Sequence, residues 1–198
     1  MSTHHDLARA QLDPIARAAP PRLVCDRSCC ERPSHPLLDR ARIRELAALR
    51  LGEAVADPNI QALVDRVANE LQLPFAAVSI VLDATPYFIV SHGLERWRGV
   101  ARGSPLEWPL CRQAIDSKVA VAIEDASTHP AVCDNPLVRI DGIRSYLGIP
   151  LITSKRHAIG TLCVFGRQPR RFLVLEIARL HELARRVTSE LETRRIQR

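Results

Sequence analysis

Thiols are the side chains of this 198-residue chain best suited to chemistry, and there are six: Cys25, Cys29, Cys30, Cys111, Cys133 and Cys163. A thiol reacts as its thiolate, so its surroundings decide whether it reacts at all. Cys111 opens a short helical pattern, and a helix N-terminus lowers a thiol pKa. Cys133 lies in a polar loop segment. Two such thiols can act in turn, one attacking and one resolving the adduct as a disulfide. Cys163 alternates with Leu162 and Val164 in an apolar run and reads as a buried small hydrophobe. Cys25, Cys29, Cys30 and His35 offer four ligand atoms, but C-x3-C-C is not the spacing of a zinc finger or ribbon, and no metal site is expected. No Ser/His/Asp set, phosphate loop or carboxylate pair stands at catalytic spacing, and His129, before Pro130, reads as a loop residue.

The elements that must position these groups follow from periodicity. Residues 1–36 show no sustained period and carry Pro14, Pro20, Pro21, Pro33 and Pro36, the pattern of a flexible arm. Residues 37–56 form an N-terminal helix in which Leu38, Ile43, Leu46, Ala47 and Leu49 recur at helical spacing. Asp57 then caps a second helix, with Pro58 at its first position and Ile60, Leu63, Val64, Val67 and Leu71 on one face. Phe75 to Leu82 and Tyr87 to Val90 read as a hairpin. A short helix over Trp108 to Ile115, a strand over Val119 to Ile123 and a long connection from Glu124 to Gly142 follow. Two strands, Ser145 to Ile152 and Ala158 to Phe165, flank the turn at Thr153 to His157.

In the last helix Leu173, Ile177, Leu180, Ala184, Val187 and Leu191 step by four and three, the spacing of a coiled-coil seam. Such a seam suits either the chain's own sheet or a partner, and a homodimer held mainly by it is expected. The order of elements gives an α+β fold. Its antiparallel sheet carries the terminal helices on one face, and loops and short helices form a pocket on the other. Residues 57–198 make up the single domain.

Composition excludes several classes. Hydrophobic residues at 46% and charged residues at 25% are ordinary for a globular core. The net charge of +6 is almost all arginine, since Lys118 and Lys155 are the only lysines. Those arginines are interleaved with acids, and aromatics are only 4%. Nucleic-acid binding, which needs a basic face with stacking groups, is therefore not expected. No run approaches the roughly 18 apolar residues of a membrane span, and no secretory signal opens the chain, so the expected location is the cytoplasm.

Ile143 to Leu151 (Ile-Arg-Ser-Tyr-Leu-Gly-Ile-Pro-Leu), Ile159 to Val164 and Pro169-Arg170 together resemble GAF domains of bacterial signalling proteins. Gly93-Leu94, Cys111 to Ile115, Glu124 to Ala126 and Asn135 to Val138 agree in order. The resemblance implies a stand-alone sensory module in signal transduction, which binds a small molecule or senses redox state and acts on a partner in trans. With polar groups near an apolar sheet, it points to Trp108, Cys111, Arg112, Asp125, Arg144 and Tyr146 as pocket residues. Arg112 or Arg144 would suit an anionic ligand. The Asn-Lys signature of cyclic-nucleotide GAF domains is absent. Cys111 is followed by Arg112 instead of the histidine that accompanies bilin attachment, so no cofactor is expected. The chain also resembles GAF-fold free methionine-(R)-sulfoxide reductases at Cys111 and Cys133-Asp134, which makes a thiol reductase the alternative. A dimerisation scaffold that binds nothing is a third reading.

Overall fold

The computed structural model describes residues 37, 39–82, 86–94 and 109–195. The expected arm over residues 1–36, with Cys25, Cys29, Cys30 and His35, lies outside the described residues, as does Trp108. Helices α1 (Arg40–Ala48) and α2 (Pro58–Leu71) precede the hairpin strands β1 (Phe75–Val81) and β2 (Pro86–His92). There follow α3 (Pro109–Ser117), β3 (Val121–Ile123), the single turn α4 (Pro136–Arg139), β4 (Ser145–Ile152), β5 (Ala158–Gly166) and α5 (Val174–Glu192). All strand pairs are antiparallel, and the sheet order is β2-β1-β5-β4-β3. The fold is α+β, as the element order predicts.

Alternation along the strands divides the core in two. Ala76, Val78 and Ile80 of β1, Leu147, Ile149 and Leu151 of β4, and Leu162 and Val164 of β5 face a layer made by α2, α5 and Leu46 and Leu49 of the α1 segment. Phe75, Ala77, Val81, Tyr146, Cys163 and Phe165 face the other way and pack with Cys111, Ala114 and Ile115 of α3 and with Leu137 and Ile143. In α2 Asp57 accepts from the N–H groups of Asn59 and Ile60 at 2.9 and 3.0 Å, the cap its sequence predicts.

Three expectations are corrected. The continuous helix over residues 37–56 breaks at Arg50, whose φ of 45° is left-handed, and a 3-10 turn, Leu51–Ala54, follows. The buried face of α1 is also only partly the apolar one, since two charged residues share it with Leu46. Arg42 and Glu45 are each 3% exposed while Ile43 is 45% exposed. Four backbone carbonyls outweigh the apolar pattern here: Arg42 donates to those of Ala158 at 2.7 Å, Leu37 at 3.0 Å, Leu82 at 3.1 Å and also Val81. The third correction is the seam. Leu180, Ala184, Val187 and Leu191 are buried against the chain's own sheet and α2, so they cannot be the main contact of a dimer. Leu173 alone among the six is exposed, beside Val174 and Leu175.

Candidate functional site

The strand register builds a trough on the face covered by α3. Ala77 of β1, Cys163 of β5, Gly148 of β4 and Val121 of β3 are successive partners across four strands. Three of them are small, so the middle of this row is low. Phe75, Phe165, Tyr146 and Ile123 form the row on one side. Ser79, Thr161 and Pro150 form the row on the other.

Tyr146 lies down into the trough. A Cβ placed on Gly148 would stand 2.2 Å from the Tyr146 hydroxyl, so the ring runs along its own strand directly over that glycine. Gly160 serves backbone approach instead, since a Cβ there would stand 2.0 Å from the Ser79 carbonyl oxygen. The Tyr146 hydroxyl is 3.5 Å from Cys111 Sγ, which descends from the first turn of α3. Ser79 Oγ donates to the same sulfur at 3.6 Å and lies 2.7 Å from Thr161 Oγ1. The Cys163 thiol donates to the Ala77 carbonyl at 3.5 Å. These five polar side chains are all buried.

The nest perturbs its own titration. Hydrogen bonding from Cys163 lowers the Cys111 thiol against the opposing cost of burial, and Thr161, Tyr146 and Ser79 add to the lowering. Cys163 is raised well above an ordinary thiol, first by its bond to Cys111 and then by burial. Burial raises the Tyr146 hydroxyl, and the neighbouring sulfurs add to it.

The other candidates lie elsewhere. Arg144 and Asp125 form a two-pronged pair, Nε to Oδ1 at 2.8 Å and Nη2 to Oδ2 at 2.7 Å. Asp125 also accepts from the backbone and hydroxyl of Ser127 at 3.0 and 2.8 Å, and the Arg144 guanidinium, followed by Ser127, holds its carboxyl far below the usual range. The pair fastens the long connection to the start of β4, an architectural use of the fork expected to meet an anion. Arg112 lies 3.8 Å from Asp116 along α3. Cys133 is half-buried and absent from the groups around Cys111. Among the described residues no cluster of three or more His, Cys, Asp or Glu could hold a metal.

Sequence reading missed Ser79, Thr161 and Cys163 as members of the site. The signal was present: Ser79 in Phe75–Val81 and Thr161 and Cys163 in Ala158–Gly166 are the polar positions of otherwise apolar strands, and an even spacing puts Thr161 and Cys163 on one face.

The sequence model of the GAF domain matches residues 57–191. A cyclic di-GMP phosphodiesterase of Pseudomonas aeruginosa is 32% identical over 165 residues, which cover 82% of this chain and 27% of that protein. The chain thus spans about a quarter of the length of this curated relative. Among solved structures, the GAF domain of a phosphoenolpyruvate-protein phosphotransferase from Coxiella burnetii superposes with a TM-score of 0.58 at 20% identity, covering 81% of this chain and 96% of that one. The blue-light absorbing form of the PixJ GAF domain of Thermosynechococcus elongatus gives 0.56 at 20%, covering 79% and 90%. A type II free methionine-R-sulfoxide reductase from Thermoplasma acidophilum gives 0.54 at 12%, covering 78% and 98%. At these identities the likeness is one of fold.

Proposed function

The chain belongs to the GAF domain family, whose members serve in signalling proteins, and from that premise we propose that it is a non-catalytic sensory module for a small neutral molecule. The observation that carries this reading is the nest under α3. Three hydroxyls and two thiols are buried together in an otherwise apolar layer, where burying polar groups costs free energy unless they find partners. Such a nest suits a ligand that exchanges hydrogen bonds and brings no charge, since its five members are hydroxyls and thiols. The ligand enters by taking the place of the Tyr146 ring over Gly148. The match to a cyclic di-GMP phosphodiesterase supports an output in second-messenger turnover, with this chain as its regulatory part.

The reductase alternative needs Cys111 and Cys133 to meet at one substrate, and the groups around Cys111 are Cys163, Thr161, Tyr146 and Ser79. Self-association, if it accompanies the function, falls to the exposed start of α5, where Leu173, Val174 and Leu175 are 61%, 73% and 81% exposed. No helix among the described residues is long and apolar enough to cross a membrane.

The test is thermal stability of the reduced protein against a library of small metabolites, with native mass spectrometry of what co-purifies. A binder at 100 times its Kd stabilises by about 2.7 kcal/mol, and Tyr146→Ala should bind small aromatic fragments that the wild type excludes. Failure of every compound to shift either protein would favour the scaffold reading. Turnover of cyclic di-GMP or free methionine sulfoxide by the chain alone would overturn the non-catalytic one.

A further inference from the structure

The resemblance to the reductases pairs Cys111 with Cys133, whereas the fold packs Cys111 into the layer that holds Cys163. Cys163 sits on β5 between Ala77 and Gly148, the small residues that leave room above it. Cys111 reaches over it from the first turn of α3: its sulfur meets Ser79 of β1 on one side of β5 and, on the other, the Tyr146 hydroxyl that lies over Gly148 of β4. Ser79 Oγ at 3.6 Å and the Tyr146 hydroxyl at 3.5 Å complete the surroundings of Cys111 Sγ. The Ser79 hydroxyl donates to that sulfur, and a hydrogen bond given to a sulfur favours its charged form.

We propose that Cys111 and Cys163 close into a reversible intramolecular disulfide when a hydroperoxide oxidises the protein. This reaches beyond the ligand-binding reading and does not depend on it. With hydrogen peroxide the Cys111 thiolate attacks one oxygen and the O–O bond breaks. Hydroxide leaves and takes up the proton Cys111 had released, giving water, while the sulfur becomes a sulfenic acid. Cys163 sulfur then attacks that sulfur, and the S–O bond breaks as the S–S bond forms. The departing hydroxide takes the Cys163 proton and leaves as the second water. Two thiols lose two electrons and two protons in all, and one peroxide becomes two waters.

The division of labour follows from the site. The donors around Cys111 favour its charged, attacking form. The bond to Cys111, then burial, then the Cys111 charge hold Cys163 protonated, and the first oxidation removes the last of these. Each thiol is 1% exposed, so the peroxide reaches them through local opening and the rate is modest. The bond would tie α3 to β5 and take from Tyr146 the sulfur its hydroxyl rests on.

Trypsin separates the relevant thiols, with Cys111 in Gly103 to Arg112, Cys133 in Val119 to Arg139 and Cys163 in His157 to Arg167. The reduced full chain is treated with hydrogen peroxide, its remaining thiols are alkylated, and the non-reduced digest is analysed by mass spectrometry. The expected product joins the Cys111 and Cys163 peptides with the loss of two hydrogens, also forms in Cys133→Ser, and disappears with dithiothreitol. In Cys163→Ser a dimedone adduct should accumulate at Cys111. The wild-type map alone suffices if that variant fails to fold. Linkage of Cys111 to Cys133 or to an N-terminal cysteine, or a Cys111 that stays alkylatable while Cys133 is oxidised, would overturn the proposal.

Discussion

Gly148→Ala tests whether the Tyr146 ring, and nothing else, fills the trough. The added Cβ would lie 2.2, 2.7 and 2.9 Å from the hydroxyl oxygen, Cζ and Cε1 of Tyr146. Carbon contacts settle near 3.5 to 4.0 Å, so the ring must retreat by roughly 1 Å or more. It has no free direction, being fully buried with Cys111 Sγ 3.5 Å beyond its hydroxyl. Overpacking of this kind costs about 1–3 kcal/mol, and the stiffer unfolded chain of alanine returns about 0.4–1 kcal/mol. A net loss of about 1–2 kcal/mol should lower Tm by roughly 2–8 °C in a chain of this size. In a Tyr146→Leu background the three clashing atoms are gone, and the same substitution should be neutral or slightly stabilising. Urea unfolding of the four proteins of this cycle gives the coupling energy, expected at about 1–3 kcal/mol. An equal loss in both backgrounds would show that the backbone pairing of Gly148 requires the glycine, and the account of the trough would fall.

Three further outcomes are expected. Leu180→Asp should abolish folding, seen as loss of far-UV circular dichroism, because Leu180 is fully buried; a folded monomer of native Tm would restore the seam as an interface. Arg42→Met keeps the stem but strips donors from four carbonyls, each worth about 1–3 kcal/mol when sheltered, and should cost several kcal/mol in urea, with Arg42→Lys recovering part; a loss under about 0.5 kcal/mol would contradict the anchoring role. Arg195 first, then Lys155, hold the Glu45 carboxyl down to about 2 from an ordinary 4.5, so its contribution is complete above pH 4.5 and drains away as pH falls toward 2. Glu45→Gln should flatten that part of the acid-unfolding curve, and superimposable slopes for the two proteins would count against the pair.

Strand identity and face were legible because a half-polar strand in a two-sided core reports its parity through single residues. Ser79 inside Phe75–Val81 is such a reporter, and so is Thr161 inside Ala158–Gly166. The sheet order is not encoded locally: Ser79 and Thr161 are 82 residues apart, and only the pairing of β1 with β5 makes them neighbours. The same long-range step hid the partner of Cys111, since helix and strand periods say nothing about which thiol lies under which. Misreadings came where charge overrode apolar pattern. Arg42 and Glu45 displaced Ile43 from the inner face of α1 because backbone carbonyls and Arg195 offered them more than the core offered isoleucine. The seam in α5 is buried at Leu180, Ala184, Val187 and Leu191, but against the chain's own sheet and α2, for a four-three repeat fits a sheet and a neighbouring helix as readily as a second chain.

The two faces of the sheet are joined by β4 itself. Tyr146 and Gly148 face the nest, while Leu147, Ile149 and Leu151 between and beyond them face the helical layer. A close-packed interior does not absorb displacement, so a shift of β4 that accompanies reordering of Tyr146 is felt beneath α5. The helical layer is in turn cross-tied at both ends of α5. Arg170 binds the α2 carbonyl of Leu71 and the Glu176 carboxylate at one end. At the other, Arg194 pairs with Asp57, Arg195 with Glu45, and Glu192 accepts from the Ser154 hydroxyl at 2.6 Å. Helices so tied should be displaced together, and a change in the nest is expected to reach the protein's surface as a movement of α1, α2 and α5 as one layer over the sheet. A ligand that altered the spacing of α1 and α5 while leaving β4 in place would contradict this order of events.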